Sequence, residues 1–86
     1  MDEILSEISE KDVLKYHENI GKQVKVLREA QNISQLDMAL SIGIKSVAFY
    51  SNCENSKNDK HFNVGHLYRI TKILNIEMSG FFKEIK

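Results

Sequence analysis

The chain has no proline and no tryptophan, only four glycines and a single cysteine in 86 residues. Without proline and with little glycine, nothing interrupts helical runs, and the tight turns of an all-β chain lack the residues that make them. One cysteine, Cys53, excludes an internal disulfide and a cysteine-cluster zinc site. No apolar run approaches the roughly 18 residues a membrane helix needs, and the acidic start is unlike a signal peptide. No membrane partner is expected, and the cytoplasm is the expected compartment.

The machinery of catalysis is missing too. There is no glycine-rich phosphate loop, no paired carboxylates, and no nucleophile set beside a base and an orienting group. Cys53 falls on the inward phase of its helix with no histidine near in sequence. His17 has no second ligand at metal spacing, and His61 and His66, five apart, do not share a helical face. The expectation is a protein that is not an enzyme and holds neither metal nor cofactor.

Net charge is also absent, with 12 Lys and Arg against 12 Asp and Glu. The balance hides an asymmetry. Residues 1–19 carry six acids against Lys11 and Lys15, whereas residues 20–86 carry ten Lys and Arg against six acids. That split suggests a basic binding domain, residues 20–86, with an acidic helical extension, residues 1–19. A surplus of four positive charges implies modest non-specific affinity for a polyanion. At 42% hydrophobic and 28% charged, the composition is that of one ordinary globular domain with a single core.

What is present centres on residues 34–54. Ser34 followed by Asp37 forms a capping box that starts a helix at Gln35, with Met38, Ala39 and Ile42 on its inner face. Gly43 supplies the sharp turn, and Ser46 caps a second helix from Val47 to Asn55. Tyr50 and Cys53 face inward on that helix, leaving Val47, Ala48, Ser51 and Asn52 outward. A short braced helix with small and amide side chains on its free face suits a DNA major groove. Two core helices of a small bundle that recognises nothing are the competing reading.

Residues 20–82 resemble the helix-turn-helix domain of the phage repressor and Cro (Xre) family. The resemblance rests on IGKQVKVLREAQNISQLDMA, then SIGI, YSNCENSK and HLYRITKILNI, in the family's order and spacing. It implies an all-α, five-helix lambda-repressor-like fold, a phosphate contact from Gln35, base reading by the start of the second helix of the pair, and a fifth helix that helps form a dimer. Between Gly43 and Glu54 there is an extra residue, Lys45 or Ser46, relative to the family pattern. Alignment through Tyr50, Cys53 and Glu54 makes Val47, Ala48 and Asn52 the readers, whereas alignment from Gly43 gives Ser46, Val47 and Ser51. The first is preferred because Ser46 then caps the helix. The loop 57–62 is longer than usual, and the extension before Ile20 lies outside the pattern.

Around this centre, Ile4, Leu5 and Ile8 form an apolar stripe too short to hold a helix alone. It either packs on its own domain or a dimer partner, or frays as a solvated tail. Ser9 with Asp12 opens a helix reaching Gln31, along which Val13, His17, Ile20, Val24 and Leu27 make one continuous stripe. Asn32 ends it in the left-handed conformation. Leu36 and Leu40 lie off the inner face, either as a small sticky strip that Ile4, Leu5 and Ile8 or a partner protein would cover, or as scattered surface leucines without a role.

The polar loop 55–60 offers Lys57, Asn58 and Lys60, and the turn before Val47 offers Lys45, as phosphate contacts; the competing reading of the loop is an ordinary solvated connection. Glu54 is expected to brace the fold, since a phosphate would repel it. Asn63 caps a helix from Val64 to Leu74 that Asn75 ends, and Met78, Phe81 and Phe82 make the apolar side of a last helix ending near Ile85. One phenylalanine enters the core and the other is free for a dimer contact. The functional expectation is a sequence-specific double-stranded DNA-binding regulator, most simply a repressor acting as a homodimer. The alternative is a protein-binding regulator, such as the antitoxin of a toxin pair.

Overall fold

In the computed structural model, residues 9–82 are described; the expectations for Ile4, Leu5, Ile8 and Ile85 lie outside them. The described residues are all-α, with four α-helices and one 3₁₀ helix: α1 Glu10–Ala30, α2 Gln35–Ser41, α3 Val47–Asn55, α4 Val64–Leu74, and the 3₁₀ helix Met78–Phe82. The expected fifth α-helix is therefore a correction. Its described part winds as a 3₁₀ turn that inserts Phe81, fully buried, and leaves Phe82 exposed. None of these helices is long and apolar enough to cross a membrane.

Local chemistry sets the helix starts. The hydroxyls of Ser9, Ser34 and Ser46 accept from the amides of Asp12, Asp37 and Phe49 at 3.1, 3.0 and 3.1 Å. Each satisfies an amide the helix leaves orphaned. The expected return bond from Asp12 or Asp37 to its serine amide is not formed. The reciprocal capping box is instead at Asn63, whose side chain accepts from the His66 amide while His66 Nδ1 accepts from the Asn63 amide. Asn32 and Asn75 both end their helices with positive φ, 58° and 57°, as does Ser56 after α3.

The core joins Ile20 and Val24 of α1, Met38, Ala39 and Ile42 around α2, Ile44, Tyr50 and Cys53, and Phe62, Leu67, Ile70, Leu74 and Phe81 beyond them. Helix α1 is the spine. It packs on α3, α4 and the 3₁₀ helix, while α2 packs on α3 and α4. Gly21 lets α1 approach α3, because a Cβ there would stand 2.2 Å from the carbonyl oxygen of Glu54. The Gln31 side chain then ties the end of α1 to the Leu74 carbonyl at 2.8 Å.

The stripe along α1 is shorter than its spacing suggests. Val13 is 45% exposed, and burial begins only with the half-buried His17 and the buried Ile20. Periodicity is present in the first turns of α1, but no described element is placed to cover them except at Tyr16 and His17. Tyr16 lies 6.2 Å from Phe82, ring to ring, and His17 stacks on His61 at 3.8 Å with the planes 11° apart.

Candidate nucleic-acid interface

The placement of α3 follows from one buried carboxylate. Glu54, near its carboxyl end, is 2% exposed and accepts from Arg28 Nε at 2.7 Å and Arg28 Nη2 at 3.2 Å. The Tyr50 hydroxyl donates to the same carboxylate at 2.7 Å, and the Gln35 amide at 3.1 Å. Arg28 Nη1 spends its remaining reach on the Ile33 carbonyl at 2.7 Å. Three helices are thus fixed around a charge that is paired and saturated, which is the condition under which a buried charge is tolerated. The hydrogen bond to Glu54 holds the Arg28 pKa above its ordinary value, and burial followed by that carboxylate pushes the Tyr50 phenol far up. Glu54 braces the fold, in agreement with the sequence reading, and its charge does not project toward a ligand.

The turn before α3 is held as firmly. Gly43 has φ of 85°, and Arg69 of α4 donates to the Ile42 carbonyl at 3.3 Å across it. Ile42 and Ile44 are buried on either side, and Lys45 is exposed. Ser46 caps α3, so its hydroxyl is engaged by the Phe49 amide.

At a hundred degrees per residue, Tyr50, Cys53 and Glu54 mark the buried side of α3, and Ala48, Asn52 and Asn55 lie opposite. Val47 is 43% exposed and Ala48 is exposed, as expected of outward residues; Ser51 and Asn52 are half-buried rather than fully outward. Asn55 donates to the Ser51 carbonyl at 2.9 Å and reaches its hydroxyl at 3.4 Å, so both side chains are partly engaged within the helix. Among the described residues, the Asn52 side-chain amide has no hydrogen-bond partner. It is the one group on the free face of α3 with its donor and acceptor both uncommitted.

The flanks are cationic. Lys57, Asn58 and Lys60 are exposed on the loop after α3, where Asn58 and Asp59 hold positive φ of 55° and 59°. Backbone bonds from Lys57 to the Asn52 carbonyl at 2.9 Å and from Lys60 to the Lys57 carbonyl at 3.0 Å curl this loop back along α3. Gln35, half-buried, aims its amide nitrogen at Glu54, which fixes its orientation from inside.

The remaining candidates fall elsewhere. Leu36 and Leu40 are 50% and 58% exposed on α2. Phe81 is buried, and Phe82 closes a shallow groove against Tyr16 with Asp12, Lys15, Asn19 and Ile20. No group of three or more potential metal ligands occurs among the described residues.

Sequence reasoning missed Phe49, Gly21 and the His17 to His61 contact. Phe49 carried a signal, since an aromatic side chain off the buried phase of α3 is unusual enough to ask what it touches. The other two depend on chain segments far apart in sequence. No family model matches the chain, and neither do any of the curated proteins or solved structures compared with it.

Proposed function

We propose that the chain is a sequence-specific double-stranded DNA-binding regulator, most simply a transcriptional repressor, acting through a lambda-repressor-like helix-turn-helix formed by α2 and α3. On this reading Met78–Phe82 takes the place of the fifth helix. The uncommitted Asn52 amide carries the proposal. It lies on the face of α3 opposite the buried Tyr50, Cys53 and Glu54, where a bidentate contact to adenine would complete its hydrogen bonding. Val47 and Ala48 offer methyl groups to thymine, and the exposed Lys45, Lys57 and Lys60, just before and after α3 in the chain, would serve phosphates. A homodimer sets two copies of α3 in half-sites one helical turn apart, roughly 34 Å.

Selection of bound duplexes from a random pool tests this reading. It expects a palindromic, A·T-leaning site. Asn52→Ala then relaxes the preference at one base pair by about 1–3 kcal/mol, and Lys57→Ala weakens all sequences alike. A selected site whose preferences are untouched by Asn52→Ala would remove the assignment.

A second reading, a protein-binding regulator such as an antitoxin, is favoured by the exposed pair Leu36 and Leu40, which are four residues apart on α2. Replacing both with serine separates the two readings. DNA affinity unchanged with loss of a co-purifying partner supports the second; no partner in either protein leaves the strip as ordinary surface.

A further inference from the structure

The flank of α3 holds a pair of side chains that the reading of base contacts leaves unused. Phe49 is 36% exposed, and the Lys60 ammonium stands over its ring, 5.8 Å from the centroid. The approach is built rather than incidental. Three left-handed residues, Ser56, Asn58 and Asp59, and the two backbone bonds of Lys57 and Lys60 return the loop alongside the helix. Lys60 also acts on Cys53, one turn further along the same flank, where its charge opposes the rise that burial imposes on the thiol pKa. On the helical wheel Phe49 lies about midway between the buried side and the Ala48 and Asn52 face. The ring therefore holds the ammonium at the border of the surface that would face the bases.

We propose that Phe49 is a positioning residue for Lys60, holding the ammonium so that it meets the DNA phosphate bordering the base pairs read by Ala48 and Asn52. The inference rests on the DNA-binding reading and names how the helix is registered on the backbone. A lysine is a point charge on a flexible four-carbon stem, and ordering it on a phosphate costs rotamer freedom. An aromatic face that already attracts the ammonium removes part of that cost, which leucine or alanine at the same place cannot do.

The test measures binding of the full chain to its own selected duplex across a series of salt concentrations, for wild type, Phe49→Leu, Phe49→Tyr, Lys60→Ala, and Phe49→Leu with Lys60→Ala. Phe49→Leu is expected to weaken all sequences alike by about three-fold. It should also flatten the salt dependence toward that of Lys60→Ala, whose slope falls by about one phosphate contact. Phe49→Tyr keeps the aromatic face and should restore both, which a loss of packing alone would not predict. The double variant should bind no worse than Lys60→Ala. Losses that add in full, or an unchanged salt slope with altered base preference, overturn the inference. Wild type that selects no duplex removes the DNA reading, and the inference with it. Wild type that binds with Phe49→Leu indistinguishable from it removes the inference alone.

In the free protein, the ε-methylene resonances of Lys60 should show a ring-current shift that Phe49→Leu abolishes. A shift the same in both would equally count against the pairing.

Discussion

Residues 10–19 and 20–30 belong to one unbroken helix, α1, yet they live in different surroundings. The second part buries Ile20, Gly21, Val24 and Arg28, touches the backbone of α3 at Gly21, and anchors Glu54. The first part buries nothing; Val13, Leu14 and Tyr16 are exposed, and it reaches other elements through the His17 stack and the edge of Phe82. Helical periodicity and a good cap are enough to continue a helix, but only a facing element turns an apolar stripe into a core. The same helix thus serves as a rigid brace at one end and an open arm at the other, and α3 depends on the brace.

The comparison is broken most severely at Glu54. Glu54→Ala leaves the Arg28 guanidinium, the Tyr50 hydroxyl and the Gln35 amide without their acceptor in a buried site. A loss of about 3–5 kcal/mol is expected, as when a buried ion pair is broken from one side. Chemical denaturation measures it, and a loss under 1 kcal/mol would mean that α3 is held by apolar packing alone. Gly21→Ala comes next. The new methyl would collide with main-chain atoms of Glu54, and overpacking of about 1–3 kcal/mol outweighs the gain of roughly 1 kcal/mol in helix propensity. On the open arm Lys11 is exposed, so Lys11→Ala removes no buried contact and should leave the denaturation midpoint nearly unchanged.

The histidines sharpen the contrast between brace and arm. Burial first, and then the charge of the stacked His61, lowers the His17 pKa from its ordinary 6.5. Burial, with Arg69 second, lowers that of His66, whose neutral Nδ1 also accepts from the Asn63 amide. Both bind protons more readily unfolded than folded, so stability is full above pH 6.5 and falls as the pH drops below it. Denaturation midpoints from pH 8 to pH 5 measure the fall. His17→Phe keeps a ring on His61 and should remove part of it, leaving the His66 share. An unchanged slope would show that His17 binds protons equally well folded and unfolded.

Where the determinants are local, the sequence reading and the structure agree. The starts at Gln35, Val47 and Val64 and the left-handed Asn32 and Asn75 depend on a cap or a single backbone conformation. The inward phase of Tyr50 and Cys53 and a bracing role for Glu54 were equally legible. What brings Glu54 its partner was not, because Arg28 lies 26 residues away and nothing in either neighbourhood names the other. The extent of the stripe on α1 was misread for the same reason. Val13 sits in phase with Ile20 and Val24, and phase says which side a residue takes, not whether anything comes to cover it. The left-handed Asn58 and Asp59, which return Lys60 to Phe49, sit in a loop of the length the sequence shows but of a path it does not.

The smallest effect is expected at the tip of the arm. Ser9 and Ser34 make the same cap bond, 3.1 and 3.0 Å to the amide three residues on. Loss of such a cap costs a helix about 1 kcal/mol, but the global cost depends on what that first turn holds. The turn after Ser34 leads directly to the buried Met38 and Ala39, so Ser34→Ala should lower the unfolding free energy by most of that amount. The turn after Ser9 contains Glu10, Lys11, Asp12 and Val13, all exposed, and it can fray while the core stays intact. Ser9→Ala should therefore leave the denaturation midpoint in place and speed amide hydrogen exchange only over the first turns of α1. A drop in global stability matching that of Ser34→Ala would mean that the arm is part of the cooperative unit, and that its exposed face is covered in solution.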